Sequence, residues 1–253
     1  MKDFHTHIGP YYDSYYDFKD VFSALKNNGV EKIVCVYLTP KFSLKNDAFE
    51  YYKAVLEELK QAHCFAKEIN LKVDFLHWAD PLLLKTEIHL AQIFEDFFNA
   101  IGENYSGIAL HPGLHNWSNE YSLELTRIFE FAKEKHVPLF IHTGVSEYDD
   151  PLQFEKWFRD FPEVKVHLAH CKDPEPIIQL FSKYSNLVGD TAFCPKDSYK
   201  AICDASFKDR MFFGTDFPIS HWYEHAGEKD FSTDEKALTE SYAKTLKSYK
   251  WFL

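Results

Sequence analysis

Two histidines one residue apart, His5 and His7, lie near the start of the chain in the stretch KDFHTHIG of residues 2–9. On an extended strand, side chains at i and i+2 point to the same face, about 6.6 Å apart along the strand. Two imidazoles at that separation can bind one cation. Alone, such a pair is more often two ordinary surface histidines, so the interpretation depends on the partners that the rest of the chain supplies.

Eight segments of strand-like sequence alternate with helical sequence along the chain. The predicted strands are 2–9, 32–38, 72–77, 106–110, 138–141, 164–169, 187–189 and 211–213. Repeated βα units indicate a closed eightfold barrel or an open doubly wound sheet, and eight units without a glycine-rich dinucleotide loop favour the barrel. We therefore expect an α/β fold, a single (β/α)8 TIM barrel over residues 1–253.

Histidines and aspartates stand at the ends of most predicted strands. In a barrel these ends converge on one face, where active sites are built. The residues so placed are His5, His7, His77, His111, His142, His170, Asp190 and Asp216. A barrel core requires branched apolar residues, so this polar ring predicts a functional site.

Four motifs together resemble the metal-dependent amidohydrolase superfamily, and its amidohydrolase 2 branch of hydrolases and non-oxidative decarboxylases in particular. They are HTH at 5–7, PLFIHTG at 138–144, VHLAH at 166–170 and FGTDFP at 213–218. The resemblance implies that one divalent metal is bound by His5, His7, His142 and Asp216, with His170 beside the metal-bound water. Ala109 lies where binuclear relatives often have lysine, which favours a mononuclear site.

The chemistry of these residue types agrees with that assignment. Three imidazoles and a carboxylate suit Zn²⁺, with Mn²⁺ and Fe²⁺ as alternatives, and leave a position open for water or substrate. Zinc can lower the pKa of bound water to about 7. Asp216 is then ligand and catalytic proton carrier, and His170 polarises a carbonyl or accepts a proton.

The remaining polar residues of the ring are predicted to contact the substrate. They are His111, His77 and Asp190. Each has an alternative: the two histidines could be hydrogen-bonded rim residues, and Asp190 could cap a loop or orient a ligand histidine. His167 competes with His170 for the catalytic role. Residues three apart on a strand face opposite sides, so we expect His167 to point toward the helices.

The leading functional prediction is a metal-dependent hydrolase that uses an activated water on an amide, lactone or ester carbonyl of a small molecule. The alternative on the same site is a non-oxidative decarboxylase of a small carboxylic acid. A non-catalytic metal- or ligand-binding barrel is a third hypothesis, which the retention of both His170 and Asp216 disfavours. Substrate selection is expected in the loops 39–45 and 219–229.

Composition restricts the partners and the compartment. A formal net charge of -11 disfavours binding to nucleic acid or to anionic lipid. No apolar run has the length of a membrane span, and the five scattered cysteines indicate reduced thiols. We expect a cytoplasmic enzyme with a small-molecule substrate, and a homodimer as the commonest oligomeric state.

Overall fold

The structure is a computed structural model that describes residues 1–38, 48–79, 81, 90–102, 105–144, 146–228 and 231–252. The predicted specificity loop 39–45 lies outside the described residues. None of the helices in the described part of the chain is long and apolar enough to span a bilayer.

Within the described residues, nine strands form one sheet in the order β2-β1-β3-β4-β5-β6-β7-β8-β9. Their bounds are β1 Lys2–Tyr11, β2 Ser14–Tyr16, β3 Lys32–Tyr37, β4 Lys72–Trp78, β5 Tyr105–Leu110, β6 Leu139–Ile141, β7 Val166–Leu168, β8 Leu187–Asp190 and β9 Met211–Phe212. All eight predicted strands are present, and neighbours among them pair in parallel. The ninth, β2, was not predicted; it pairs antiparallel with the end of β1. The parallel α/β class is confirmed.

The sheet is curled so that its first strand also contacts the segment after its last. Thr6 and Phe217 form a parallel bridge. The N–H of Phe4 donates to the carbonyl of Phe213 at 2.8 Å, and that of Asp216 donates to the carbonyl of His5 at 2.8 Å. We call this contact between residues 4–7 and 213–217 the seam.

Ten helices connect the described strands. They are α1 Phe18–Asn27, α2 Ala48–Glu68, α3 Leu90–Ile101, α4 Pro112–His115, α5 Ser122–Lys135, α6 Glu155–Asp160, α7 Pro174–Lys183, α8 Lys196–Asp204, α9 Ile219–Glu224 and α10 Glu235–Ser248. Aspartate N-caps begin α1, α7 and α10, each accepting a backbone N–H of the first turn. The short helices α4 and α9 lie in loops after strands, and α9 occupies the second predicted specificity loop.

Strand side chains alternate between two apolar regions. On β5, Ile108 and Leu110 pack outward against helices, whereas Ala109 faces the inside of the curled sheet. Phe140 on β6 and Trp78 on β4 share that inner region. The period of two therefore decides which residues reach the inner face, where the pocket described below opens.

Asp3 is a buried hub that fixes the start of β1. Its carboxylate accepts hydrogen bonds from the hydroxyls of Thr215 at 2.6 Å and Tyr242 at 2.8 Å, and from the backbone N–H groups of His5 and Thr215, each at 3.1 Å. Burial raises the pKa of Asp3 to about 6 despite these donors. Because these partners flank the seam, the hub holds His5 and Asp216 in fixed relation.

Candidate metal and active site

His5, His7 and Asp216 converge at the seam. The Nε2 atoms of His5 and His7 lie 3.2 Å and 2.7 Å from Oδ1 of Asp216. All three side chains are buried. Strand geometry supplies the first two, as the His-x-His spacing predicted, and the seam brings the carboxylate to them.

In His5 and His7, the hydrogen bond made by Nδ1, the ring nitrogen that does not face Asp216, determines the tautomer. His7 Nδ1 lies 3.2 Å from the carbonyl oxygen of Val36, and His5 Nδ1 lies 3.0 Å from Oδ2 of Asp190. A carbonyl or an ionised carboxylate can only accept, so each Nδ1 carries the proton. Each Nε2 then presents a lone pair toward Asp216, unless it is protonated as well.

The two carboxylates near His5 favour a positive charge where its side chain meets that of Asp216. Burial opposes ionisation of His5, but the carboxylates of Asp190 and Asp216 outweigh burial and raise its pKa to about 10. Burial likewise opposes the charge on Asp216, yet His5 and His7 hold its pKa well below the ordinary value. Two lone pairs and a carboxylate around one point fit a divalent cation in place of the extra proton.

Asp190 contacts His5 through the ring nitrogen that does not face Asp216. It is fully buried and is not among the described residues that line the pocket, and its predicted contact with substrate stays a prediction. Its Oδ2 accepts from His5 and also from His167 Nε2 at 2.8 Å, while Oδ1 accepts from the backbone N–H groups of His170 and Ala192 at 3.0 Å and 2.9 Å. It therefore orients His5, the alternative that the sequence left open.

His167 does not point toward the helices as predicted. Its ring lies on the inner face, 4.6 Å from the ring of Phe140, and forms a hydrogen bond with Asp190. That prediction was wrong because β7 ends at Leu168 and the chain then turns, so strand alternation does not extend to His170. His170 has a φ of +70° and Cys171 one of +43°, a left-handed conformation that is costly for residues with a Cβ. The turn returns His170 to the inner face as well.

A second histidine group lies beside the first. His170 Nδ1 donates to the carbonyl of Ala192 at 2.9 Å, and its Nε2 accepts from His142 Nδ1 at 3.0 Å. The ring of His111 stacks on that of His142 with centroids 3.7 Å apart. Burial lowers the pKa of all three histidines, to about 4 for His170, so they are neutral at pH 7.

His142 points toward Asp149 rather than into the group of His5, His7 and Asp216. Its Nε2 is 4.0 Å from Oδ1 of Asp149. His111, His142 and Asp149 form a separate group, in which one possible ligand atom from each residue lies within 4.8 Å of the others. The assignment of His142 as the fourth metal ligand stays a prediction. The ring lines the same pocket, and the lone pair of its Nε2 remains available because Nδ1 is the donor to His170.

The pocket that contains these groups has a volume of about 940 Å³. Among the residues that line it are the predicted His5, His7, His111, His142, His170 and Asp216, together with Tyr11, Tyr12, Trp78, Phe140, Phe193, Tyr223 and Lys172. Among the described lining residues, Lys172 is the only lysine or arginine, and its Nζ lies 5.8 Å from the ring of Phe193. Lys172 was not predicted as a site residue; its place two residues after His170 was the available signal.

His77 does not reach the pocket. Strand β4 continues through Trp78, and the alternation places Trp78 on the inner face and His77 on the outer one. The His77 ring is buried 4.2 Å from that of Phe97 on α3, and burial lowers its pKa to about 3. The ring therefore lies between the sheet and the helices, and the predicted contact of His77 with substrate stays a prediction.

The curled parallel α/β sheet carries histidines and carboxylates at the carboxyl ends of its strands, where enzymes with α/β barrel folds have their active sites. The amidohydrolase family model matches residues 102–243. That match spans more than half of the chain, and the chain belongs to the amidohydrolase family. The resemblance stated from the motifs is thereby confirmed. No curated protein sequence matches the chain.

Solved structures share the fold at low sequence identity. A probable 2-pyrone-4,6-dicarboxylic acid hydrolase from Acinetobacter baumannii has a TM-score of 0.59 and 12% identity, covering 97% of this chain and 91% of that one. A 4-oxalomesaconate hydratase from Rhodopseudomonas palustris has a TM-score of 0.58 and 12% identity, covering 100% and 99%. A dihydroxybenzoic acid decarboxylase from Polaromonas sp. JS666, with bound manganese and 2-nitroresorcinol, has a TM-score of 0.57 and 13% identity, covering 98% and 97%. Proteins described as a hydrolase, a hydratase and a decarboxylase therefore share this fold.

Proposed function

We propose that this chain is a mononuclear metal-dependent hydrolase that acts on a carbonyl centre, an amide, lactone or ester, of a small molecule. The observation that carries the proposal is the convergence of His5 Nε2 and His7 Nε2 on Oδ1 of Asp216 in a pocket. Membership of the amidohydrolase family supports it.

His5, His7 and Asp216 would hold the metal, with His142 as the proposed fourth ligand. Two imidazoles and a carboxylate favour Zn²⁺, and Mn²⁺ and Fe²⁺ are alternatives. When bound, such a cation supplies Lewis acidity and makes hydroxide available near neutral pH. The tautomers of His5 and His7, fixed by Asp190 and Val36, keep both Nε2 lone pairs directed at that point.

The protein's own groups then have distinct tasks. Asp216 is held as a carboxylate; its Oδ1 faces the two imidazoles, and its second oxygen, Oδ2, can accept a proton. His170 is neutral, and its Nε2 accepts the hydrogen bond of His142 Nδ1, so it orients His142 and can take up a proton from the reacting group only when that hydrogen bond is released. Lys172 supplies a positive charge for an anionic group of the substrate.

We further propose that the curled sheet is a closed (β/α)8 barrel with β2 as an added antiparallel strand. The bridge between Thr6 and Phe217 and the backbone hydrogen bonds of the seam support closure. Closure matters for the chemistry because the metal group takes ligands from both sides of that seam.

A non-oxidative decarboxylase on the same site is the second candidate. Lys172 favours it, since a lysine in the pocket suits a substrate carboxylate. The aromatic walls formed by Trp78, Phe140 and Phe193 suit a planar or cyclic substrate for either reaction.

The test begins with protein stripped of metal by a chelator and reloaded with Zn²⁺ or Mn²⁺. Lactones, esters and amides are assayed for hydrolysis, and aromatic and β-keto carboxylates for release of CO₂. We expect activity only after reloading, and none in the His5→Ala/His7→Ala double variant. The exposed-histidine variant His136→Asn is the matched control. Turnover without metal would refute the proposal, and metal binding with inertness across the panel would favour the non-catalytic barrel.

The role of Lys172 is tested with Lys172→Met against the exposed control Lys200→Met. With a carboxylate substrate we expect KM to rise about tenfold or more while kcat changes less, because the charge positions the substrate without entering the reaction. With an uncharged ester or lactone the two variants should behave alike. Equal effects on charged and uncharged substrates would contradict the assignment.

A further inference from the structure

The short helix α9 carries a second cluster of metal-ligating side chains outside the pocket site. His221, Glu224 and His225 each offer a ligand atom, and these atoms all lie within 4.8 Å of one another. The spacing His-x-x-Glu-His places the two imidazoles on one helical face, a spacing used in zinc motifs. Their ring centroids are 4.7 Å apart.

His221 is the most informative member. It is only 1% exposed, and its Nε2 lies 3.0 Å from the carbonyl oxygen of Ser232. Because a carbonyl can only accept, Nε2 carries the proton and Nδ1 has a free lone pair. That Nδ1 is buried and has no hydrogen-bond partner among the described residues. A buried, unsatisfied ring nitrogen costs free energy unless something binds it.

The other two ligands are supported in the same way. His225 Nδ1 lies 2.9 Å from the carboxylate of Glu228, which leaves Nε2 as the free nitrogen. Glu224 accepts a hydrogen bond from the hydroxyl of Ser241 on α10 at 3.1 Å. Metal-bound histidines characteristically donate their second nitrogen to a carbonyl or carboxylate, and ligating carboxylates are themselves hydrogen-bonded.

The surroundings give the cluster a closed side and an open side. The ring of Phe231 stacks on that of His225, with centroids 5.3 Å apart, and also contacts the edge of His221 at 5.5 Å. Glu224 is exposed, so an ion can enter from solvent. Two imidazoles and one carboxylate, with positions left for water, select Zn²⁺ or a similar divalent transition metal over Ca²⁺ or Mg²⁺.

We propose that His221, Glu224 and His225 form a second, surface-accessible Zn²⁺ site that fixes α9 beside the mouth of the pocket. The hydrogen bonds of these ligands reach Ser232 and Ser241, so the bound ion would join α9 to the segment before α10 and to α10 itself. Tyr223 lies between the ligands on α9 and lines the pocket, which connects this site to substrate access.

The experiment counts bound Zn²⁺ by equilibrium dialysis and elemental analysis in four proteins that are first stripped of metal. They are the wild type, His225→Ala, His5→Ala/His7→Ala, and the combination of all three substitutions. We expect two equivalents in the wild type, one in each of the two variants, and none in the combination. His136→Asn, which removes an exposed histidine elsewhere, should keep both.

Failure of this site and failure of the pocket site give different patterns. If the wild type and His225→Ala bind the same number of ions, the α9 site is refuted. If instead one ion is lost in His225→Ala and none in the double variant, the α9 site stands and the pocket assignment falls. As a second readout, Zn²⁺ should raise the melting temperature of the double variant by mass action. Glu224→Gln should weaken that response about tenfold or more in Zn²⁺ concentration.

Discussion

Asp190 decides which nitrogen of His5 faces the pocket. The carboxylate is fully buried, and its two oxygens together accept four hydrogen bonds, from His5, His167 and two backbone N–H groups. His5 and His167 hold its pKa below the ordinary value although burial acts in the opposite direction. A buried charge of this kind is stable only while its donors remain in place.

Asp190→Asn should weaken metal binding while the fold is kept. The amide retains one oxygen for the backbone donors, but its NH₂ group would face His5 and His167. The Nδ1 atom of His5 would then accept a hydrogen bond from the amide, and the proton of the ring would lie on Nε2, the atom that we propose binds the metal. We expect the dissociation constant for Zn²⁺ to rise about 10–100-fold, measured by competition with a chromophoric chelator.

The exposed substitution Asp204→Asn is the control for this change, and circular dichroism checks that both variants are folded. An unchanged affinity in Asp190→Asn would mean that the orientation of His5 does not depend on this carboxylate.

Protons should compete with metal at His5. Its pKa is raised to about 10, since Asp190 and Asp216 outweigh the effect of burial, so the metal-free protein holds a proton on His5 at neutral pH. Binding of a divalent cation to Nε2 must release that proton. The affinity should therefore fall about tenfold for each pH unit below 10.

Calorimetric titrations of Zn²⁺ at pH 7 in buffers of different ionisation enthalpy measure this release. We expect about one proton per metal from His5, and no such dependence at this site in His5→Ala. A pH-independent affinity would contradict the charge state derived from the geometry.

At the scale of single elements, β4 shows how the alternation of a strand separates functional from structural residues. Its inner residue Trp78 lines the pocket, and its outer residue His77 packs against Phe97 of α3. Burial lowers the pKa of His77 to about 3, against 6.5 for the free side chain. Between these two pH values the unfolded chain binds a proton at His77 that the folded protein excludes.

His77→Leu should remove one source of acid destabilisation. The contribution of His77 to stability is fully present above pH 6.5 and is lost as the pH falls toward 3, with a slope approaching about 1.4 kcal/mol per pH unit. In urea unfolding from pH 7 to 4.5, we expect the difference in unfolding free energy between wild type and variant to change along this slope. His136→Asn should track the wild type, and a parallel pH dependence of His77→Leu would refute the assignment.

The sequence predicted which segments form strands, but it predicted the residues at which those strands end less accurately. Buried apolar runs identified all eight parallel strands, because such runs satisfy a sheet covered on both faces. The expected face of His167 was wrong because β7 ends before His170, and β4 runs one residue further than expected, so its last residue is Trp78 instead of His77. A shift of one residue changes the face of a side chain.

The residues that meet at the seam were predictable from the sequence, whereas the partners that support them were not. The motifs indicated His5, His7 and Asp216 before any geometry was available. The hydrogen bonds of Asp190, the hub at Asp3 and the lysine at 172 depend on contacts between distant parts of the chain. Nothing in the local sequence around Ser232 signals that its carbonyl fixes the tautomer of His221.

At the scale of the whole molecule, the proposed metal site of His5, His7 and Asp216 spans the seam. Between its first strand and its last segment, the described sheet has one bridge and a few backbone hydrogen bonds, whereas the other parallel neighbours have ladders. His5 and His7 lie on one side and Asp216 on the other. A bound ion would therefore join the two sides, and opening of the seam would require its release.

Metal should slow hydrogen exchange at the seam. The N–H groups of Phe4, His7 and Asp216 donate across it, at 2.8 Å, 2.7 Å and 2.8 Å. If they exchange when the seam opens and the ion leaves, a free Zn²⁺ concentration of 100 times Kd stabilises the closed form by about 2.7 kcal/mol. The exchange of these three amides should then slow about 100-fold.

Two controls make this effect specific to the seam. The N–H of Tyr184 bonds to the carbonyl of Leu180 at the end of α7, where local fraying releases no metal, and its exchange should not change. In His5→Ala/His7→Ala, Zn²⁺ should leave the seam amides as they are. Equal slowing in the wild type and in that variant would show that the ion does not bridge the seam. Slowing confined to the wild type would mean that one ion both completes the active site and closes the sheet.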